Sequence, residues 1–139
     1  MEYMVNMDIP TDIIRGLLCC AFEGGSNYWY ETVVPGSFPE GKTIADYGHG
    51  GSMQPPDNYW HWSQLLPTTG GSVQVFVNDG GGMGIEEVFT LDHALLQRGI
   101  KLMAKSHPRH FSSALNSNDD ATTGDIFLQL CLFGEIIYG

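Results

Sequence analysis

Basic residues are scarce in this chain: six lysines and arginines stand against sixteen acids in 139 residues, a formal net charge of −10. A protein so acidic repels phosphate backbones, so direct nucleic-acid binding is not expected. The scarcity is regional. Residues 1–97 hold twelve acids with only Arg15 and Lys42, whereas residues 98–139 hold four acids and four bases. Long apolar runs are also missing. The longest, from Ile126 to Tyr138, is broken by Gln129 and Gly134-Glu135 and is too short for a membrane span. Met1-Glu2-Tyr3 lacks the basic start of a signal peptide. Three cysteines, two of them adjacent, cannot build a disulfide framework, and a reducing, cytoplasmic setting follows as the expectation.

The signatures of common chemistries are absent too. The glycine-rich stretch Asp79-Gly80-Gly81-Gly82-Met83-Gly84 lacks the Lys-Ser/Thr of a phosphate-binding loop and reads as a turn between strands. There is no Gly-x-Ser-x-Gly elbow and no His-Glu-x-x-His helix. Cys19-Cys20 has no metal-ligand spacing with Cys131 and reads as structural. His107-x-x-His110 straddles a proline and has no neighbouring acid as third ligand. His49, close to Asp46 and Tyr47, offers the one arrangement that could orient a general base, and a hydrolase there ranks last. No catalytic residue, metal or cofactor is therefore expected.

What the chain does hold is alternation and helical periodicity. Length and a hydrophobic share of 42% fit a single globular domain over residues 1–139. Tyr3, Val5, Met7 and Ile9 alternate as in a strand; Thr11 or Asp12 caps a helix whose stripe is Ile13, Ile14, Leu17, Leu18, Ala21 and Phe22. Gly24 or Gly25 ends it in a left-handed conformation, and residues 27–34 run on as a strand. Residues 35–71 form a long irregular insertion, rich in Pro, Gly and aromatics, which folds over the core with a short strand or helical turn at 58–65. Val73, Val75 and Val77 mark a strand that pairs in a hairpin with 85–89. Thr90 caps a helix over 91–105 with Leu91, Ala94, Leu95, Leu102 and Met103 inside, and His107-Pro108 ends it. A last helix near 122–133, apolar nearly all round, should be central. The pattern predicts an α+β fold, with a mostly antiparallel sheet of about four strands packed against three helices.

Two groups of residues suggest binding. Tyr28, Tyr30, Tyr59, Trp60 and Trp62 fall in two aromatic bursts, together with Trp29, and suit a protein hot spot or base stacking. Alternation sends Tyr28 and Trp29 to opposite faces. Arg98, Lys101, Lys105 and Arg109 hold four of the six bases at spacings of three to four. This is either a solvated helix face or a receptor for phosphates or an acidic patch.

The chain resembles a family of small uncharacterised proteins encoded by bacteriophages and prophages. The resemblance rests on Cys20-Ala21-Phe22-Glu23-Gly24-Gly25-Ser26-Asn27-Tyr28-Trp29, on Phe89-Thr90-Leu91, and on Leu132-Phe133-Gly134-Glu135-Ile136-Ile137-Tyr138-Gly139. It covers about a third of the chain and implies an accessory protein acting in the cytoplasm of an infected bacterium. The leading expectation is a non-enzymatic inhibitor, like anti-CRISPR proteins, that binds a host defence protein through Tyr28, Tyr30, Tyr59, Trp60 and Trp62. The alternative is a sponge for a nucleotide-derived immune signal. Bases would stack on Tyr28 or Trp60, and phosphates would meet Arg98, Lys101 or Arg109 across a homo-oligomer interface. A virion or assembly component ranks lower.

Overall fold

A computed structural model of the chain describes residues 2–47, 60–78 and 86–139. The fold is α+β: among the described residues, a three-stranded antiparallel sheet is packed with five α-helices. The strands are β1 (Tyr30–Pro35), β2 (Val73–Asn78) and β3 (Glu86–Leu91), in the order β1-β2-β3. Val73, Val75 and Val77 are buried along β2, as their alternation requires of a middle strand. On β1 the register slips between Tyr30 and Thr32, leaving Glu31 as a bulge.

The first helix, α1 (Thr11–Cys20), buries Leu17 and Leu18 and carries Arg15 inside, its Nε donating to Thr68 Oγ1 at 3.0 Å. Its N-cap position is Pro10 and no side chain caps it, so neither Thr11 nor Asp12 plays the expected part. The expected left-handed stop is also corrected. The helix widens into a π turn, Ala21–Gly25, which breaks at Gly24 with φ 162°, an extended value. Residues 27–29 belong to the turn, so the strand starts at Tyr30.

The irregular insertion holds α2 (Trp62–Thr68), with His61 as its N-cap. Tyr47 is buried, and Phe38, Trp60 and Trp62 pack half-buried on the core. Next comes α3 (His93–Ser106), capped by Asp92, whose Oδ1 accepts from Leu95 N at 3.1 Å. Thr90 instead lies in β3 opposite Gln74. The buried stripe of α3 is Leu96, Gly99, Ile100 and Met103, turned from the expected one: Ala94 is exposed and Leu95 only half-buried. His107-Pro108 does end α3, but Pro108 also begins α4 (Pro108–Leu115) at a first-turn position that needs no N–H.

The apolar helix, α5 (Ala121–Phe133), is the central one: it packs against α1, α3, α4 and β3. Two glycines permit that closeness. A Cβ on Gly124 would sit 2.6 Å from Ala21 N and from Cys20 Cβ, and one on Gly99 would collide with Cys131 Sγ. Residues 3–9, expected as a fourth strand, do not join the sheet. Alternation states which residues share a face, but not whether an edge is there to receive them. His49 and the Asp79–Gly84 turn lie outside the described residues.

Candidate functional site

Asp125 sits in the second turn of α5 and is 8% exposed. Its Oδ1 accepts from Ser26 Oγ at 2.8 Å, Trp29 Nε1 at 2.7 Å and Gln129 Nε2 at 3.1 Å, and its Oδ2 accepts from Tyr28 OH at 2.7 Å. Four donors come close to saturating a carboxylate. One helical turn on, Gln129 Oε1 accepts from Ile137 N and Tyr138 N at 2.8 Å each, and its Nε2 also reaches Tyr138 O at 3.1 Å. The returning tail lays the Tyr138 ring flat on Trp29, centroids 5.4 Å apart and planes 2° from parallel. Phe133 closes the cluster at 5.3 Å from Trp29. Residues 26–29 and the tail at 137–138 thus meet in one joint, with Trp29 and Tyr138 as its ring stack.

This joint is structural. No described buried side-chain N or O atom lacks a hydrogen-bond partner, and both Asp125 oxygens are engaged by donors from the protein itself. Tyr28 lies on its rim, 57% exposed. Partial burial of the hydroxyl, and then the carboxylate it donates to, push its pKa up to about 12. Sequence reading missed Asp125 and Gln129. The available signal was their i, i+4 spacing in a helix otherwise apolar on every side, where polar groups must find partners.

Tyr30, edge-on to Trp29 at 5.9 Å, also lines an open groove of about 430 Å³, where Phe22, Tyr30 and Trp62 meet Glu23, Glu31 and His61. The π turn and β1 supply one wall, and the start of α2 supplies the other. Tyr30 is fixed by its hydroxyl, which donates to Phe22 O at 2.8 Å, and by an edge-to-face contact with the Phe22 ring at 5.8 Å. His61 Nδ1 accepts from Ser63 N at 3.2 Å, which requires that nitrogen unprotonated, and His61 N donates to Gln64 Oε1 at 2.9 Å. The imidazole lies 4.8 Å from Trp62. The result is an aromatic floor with two exposed carboxylates on its margin.

Of the five residues expected to contact a partner, Tyr30 and Trp62 share this groove. Tyr28 belongs to the Asp125 joint, Trp60 packs half-buried on the core, and Tyr59 lies outside the described residues. The bases expected to meet phosphates are dispersed. Arg98 Nη2 donates to Cys131 O near the end of α5, Arg109 is on α4, and Lys101 lines a different groove that contains neither Tyr28 nor Trp60.

The thiols are not poised for reaction. Burial, and then the hydrogen bond to Asp119 (Sγ to Oδ2, 3.4 Å), push Cys20 up to about 12. Burial, followed by Glu23, raises Cys19, and burial raises Cys131. His110 Nδ1 lies 2.9 Å from Thr123 Oγ1. Asp46 belongs to a capping box, its Oδ2 accepting from Thr43 N at 2.8 Å. Among the described residues no group of three His, Cys, Asp or Glu side chains could hold a metal ion, and no helix is long and apolar enough to cross a membrane. The chain matches no protein-family model, no curated protein and no solved structure.

Proposed function

We propose that the protein is a non-enzymatic binder that docks a basic protein surface into the Tyr30–Trp62 groove. The carrying observation is the composition of that groove: Phe22, Tyr30 and Trp62 beside Glu23 and Glu31. Aromatic faces and carboxylates together suit an arginine or lysine side chain, by cation–π attraction and charge-assisted hydrogen bonding. A chain with net charge −10 steers toward such a surface. The resemblance to phage proteins makes a host defence protein the expected partner, with inhibition by occupancy as the effect. The upward-shifted thiols and the four protein donors already engaging Asp125 support a role without catalysis. The nucleotide-sponge reading finds less support, since acids rather than cations border the groove aromatics.

Tagged wild-type, Trp62→Ala and Glu23→Gln/Glu31→Gln proteins, expressed in the infected host, test this by affinity capture and mass spectrometry. Wild type should retain a basic protein that both variants release. Trp62→Ala should weaken binding about 30-fold, as hot-spot truncations do. An unchanged capture profile for Trp62→Ala removes the groove as the interface, and a heat-released nucleotide in place of a protein favours the sponge.

A further inference from the structure

β1 is an edge strand, paired with β2 on one side and with no described strand on the other. The bonds at the ends of its ladder fix which way its main chain points. Gly36 N donates to Ser72 O at 2.9 Å, and Asn78 N donates to Trp29 O at 3.3 Å. Even-numbered positions from Ser72 to Asn78 therefore aim their N–H and C=O groups at β1, and odd-numbered ones aim away from it. Val33 stands opposite Val75, so its own N–H and C=O point out of the sheet. Pro35, opposite Val73, shares that parity, which is where a residue without an N–H belongs. Among the described residues none bonds the outward groups of Val33.

The Tyr30–Trp62 groove runs along this edge, with Tyr30, Glu31, Thr32 and Val33 on one side and the start of α2 on the other. A regular strand would turn Tyr30 and Val33 to opposite faces. The bulge at Glu31 brings them to one face, across from Val77 and Val75, so the open main chain and the Tyr30 ring serve the same groove.

We infer that the groove receives its partner as an extended basic segment, which adds to β1 as an antiparallel strand. This rests on the groove reading proposed above and states how the partner is held. The residue opposite Val33 exchanges both main-chain hydrogen bonds with it and sends its side chain to the face shared by Val33 and Tyr30. There an arginine or lysine meets Tyr30, Trp62 and the carboxylates of Glu23 and Glu31. Charge selects this occupant: two exposed acids line the groove and no lysine or arginine does. A second copy pairing edge to edge would instead bring two such acidic margins together in a chain of net charge −10. The bulge and Pro35 bound the open edge on either side of Val33, so the added strand is short.

NMR titration of the isotope-labelled full chain with acetyl-Thr-Val-Arg-Val-Thr-amide tests this. At about 1 mM peptide the Val33 amide should shift, and its exchange with water should slow at least about tenfold. N-methylation of the arginine amide, which faces β1, should weaken binding about tenfold, whereas N-methylation of the valine after it, which faces solvent, should weaken it less than about threefold. A glutamate in place of the peptide's arginine should abolish binding. Equal binding by the two N-methylated peptides overturns strand addition, and so does a shift of the Tyr30 and Trp62 signals with unchanged exchange at Val33; both leave the groove standing as an interface. Binding of the glutamate peptide as tight as that of the arginine peptide overturns the choice of a basic segment. No groove shift at all with the arginine peptide overturns the inference, and capture with Trp62→Ala then decides the groove reading by itself.

Discussion

The Asp125 joint and the Tyr30–Trp62 groove use the same kinds of residue to opposite ends. On one side, Asp125 is surrounded by Ser26, Tyr28, Trp29 and Gln129, and every donor is directed at it. On the other, Glu23 and Glu31 border Tyr30 and Trp62 with their carboxylates exposed. A carboxylate enclosed with its donors holds a fold together, whereas exposed carboxylates beside aromatic rings can take a donor from elsewhere. The difference is one of exposure rather than composition. It marks the first region for stability and leaves the second as the proposed recognition surface.

Substitutions should divide accordingly. The largest effect is expected from Asp125→Ala, which removes the acceptor of four donors, two of them on the buried Ser26 and Trp29. Loss of a buried, multiply bonded carboxylate should cost about 3–5 kcal/mol, read as a fall in the urea midpoint. A loss below about 1 kcal/mol would show that the joint is dispensable and would erase the contrast. Next comes Trp62→Ala, which should lower stability by only about 1–2 kcal/mol because the ring is half-exposed, yet remove most partner binding. Asp125→Asn sharpens the same point: the folded fraction should bind the partner normally while the midpoint falls.

A smaller effect belongs to Tyr28 at alkaline pH. Its pKa is raised from 10.0 to about 12 in the folded protein, so the folded state keeps a proton that the unfolded chain has already released. The stability tied to that hydroxyl is complete below pH 10 and is lost as the pH climbs toward about 12. Cys19, Cys20, Cys131 and Tyr30 shift in the same direction, so the readout is the difference between wild type and Tyr28→Phe in urea melts from pH 9 to 12. The variant should show a shallower alkaline decline. Smallest of all is thiol chemistry: iodoacetamide at pH 7.5 should label native protein far more slowly than urea-unfolded protein.

Much of the fold was legible where one element carries its own pattern. Alternating valines identify β2, and apolar residues all round identify α5, because burial on one or on all faces is written along a single segment. Residues 3–9 show the limit of that logic: Tyr3, Val5 and Met7 alternate as well as β2 does, and whether a strand forms depends on an edge supplied by another segment. Pro108 shows a second limit, since a residue unable to continue one helix is well suited to start the next. For the site, the aromatic bursts were visible, but their division was not. Tyr28 and Tyr30 are two residues apart, and only the turn before β1 decides that one serves Asp125 while the other faces Trp62.

The Asp125 joint also has a consequence in time. Its bonds link Ser26, Tyr28 and Trp29 to a residue 96 to 99 positions further along the chain. Contacts so distant in sequence close late and slow the folding rate. During synthesis Trp29 therefore emerges long before Asp125, Gln129 and Tyr138 exist to receive it. Its indole N–H and its ring face stay exposed to the surroundings until α5 and the tail behind it have left the ribosome. The nascent chain passes most of its production with its central aromatic uncovered, and that interval is when chaperones would matter most to this protein.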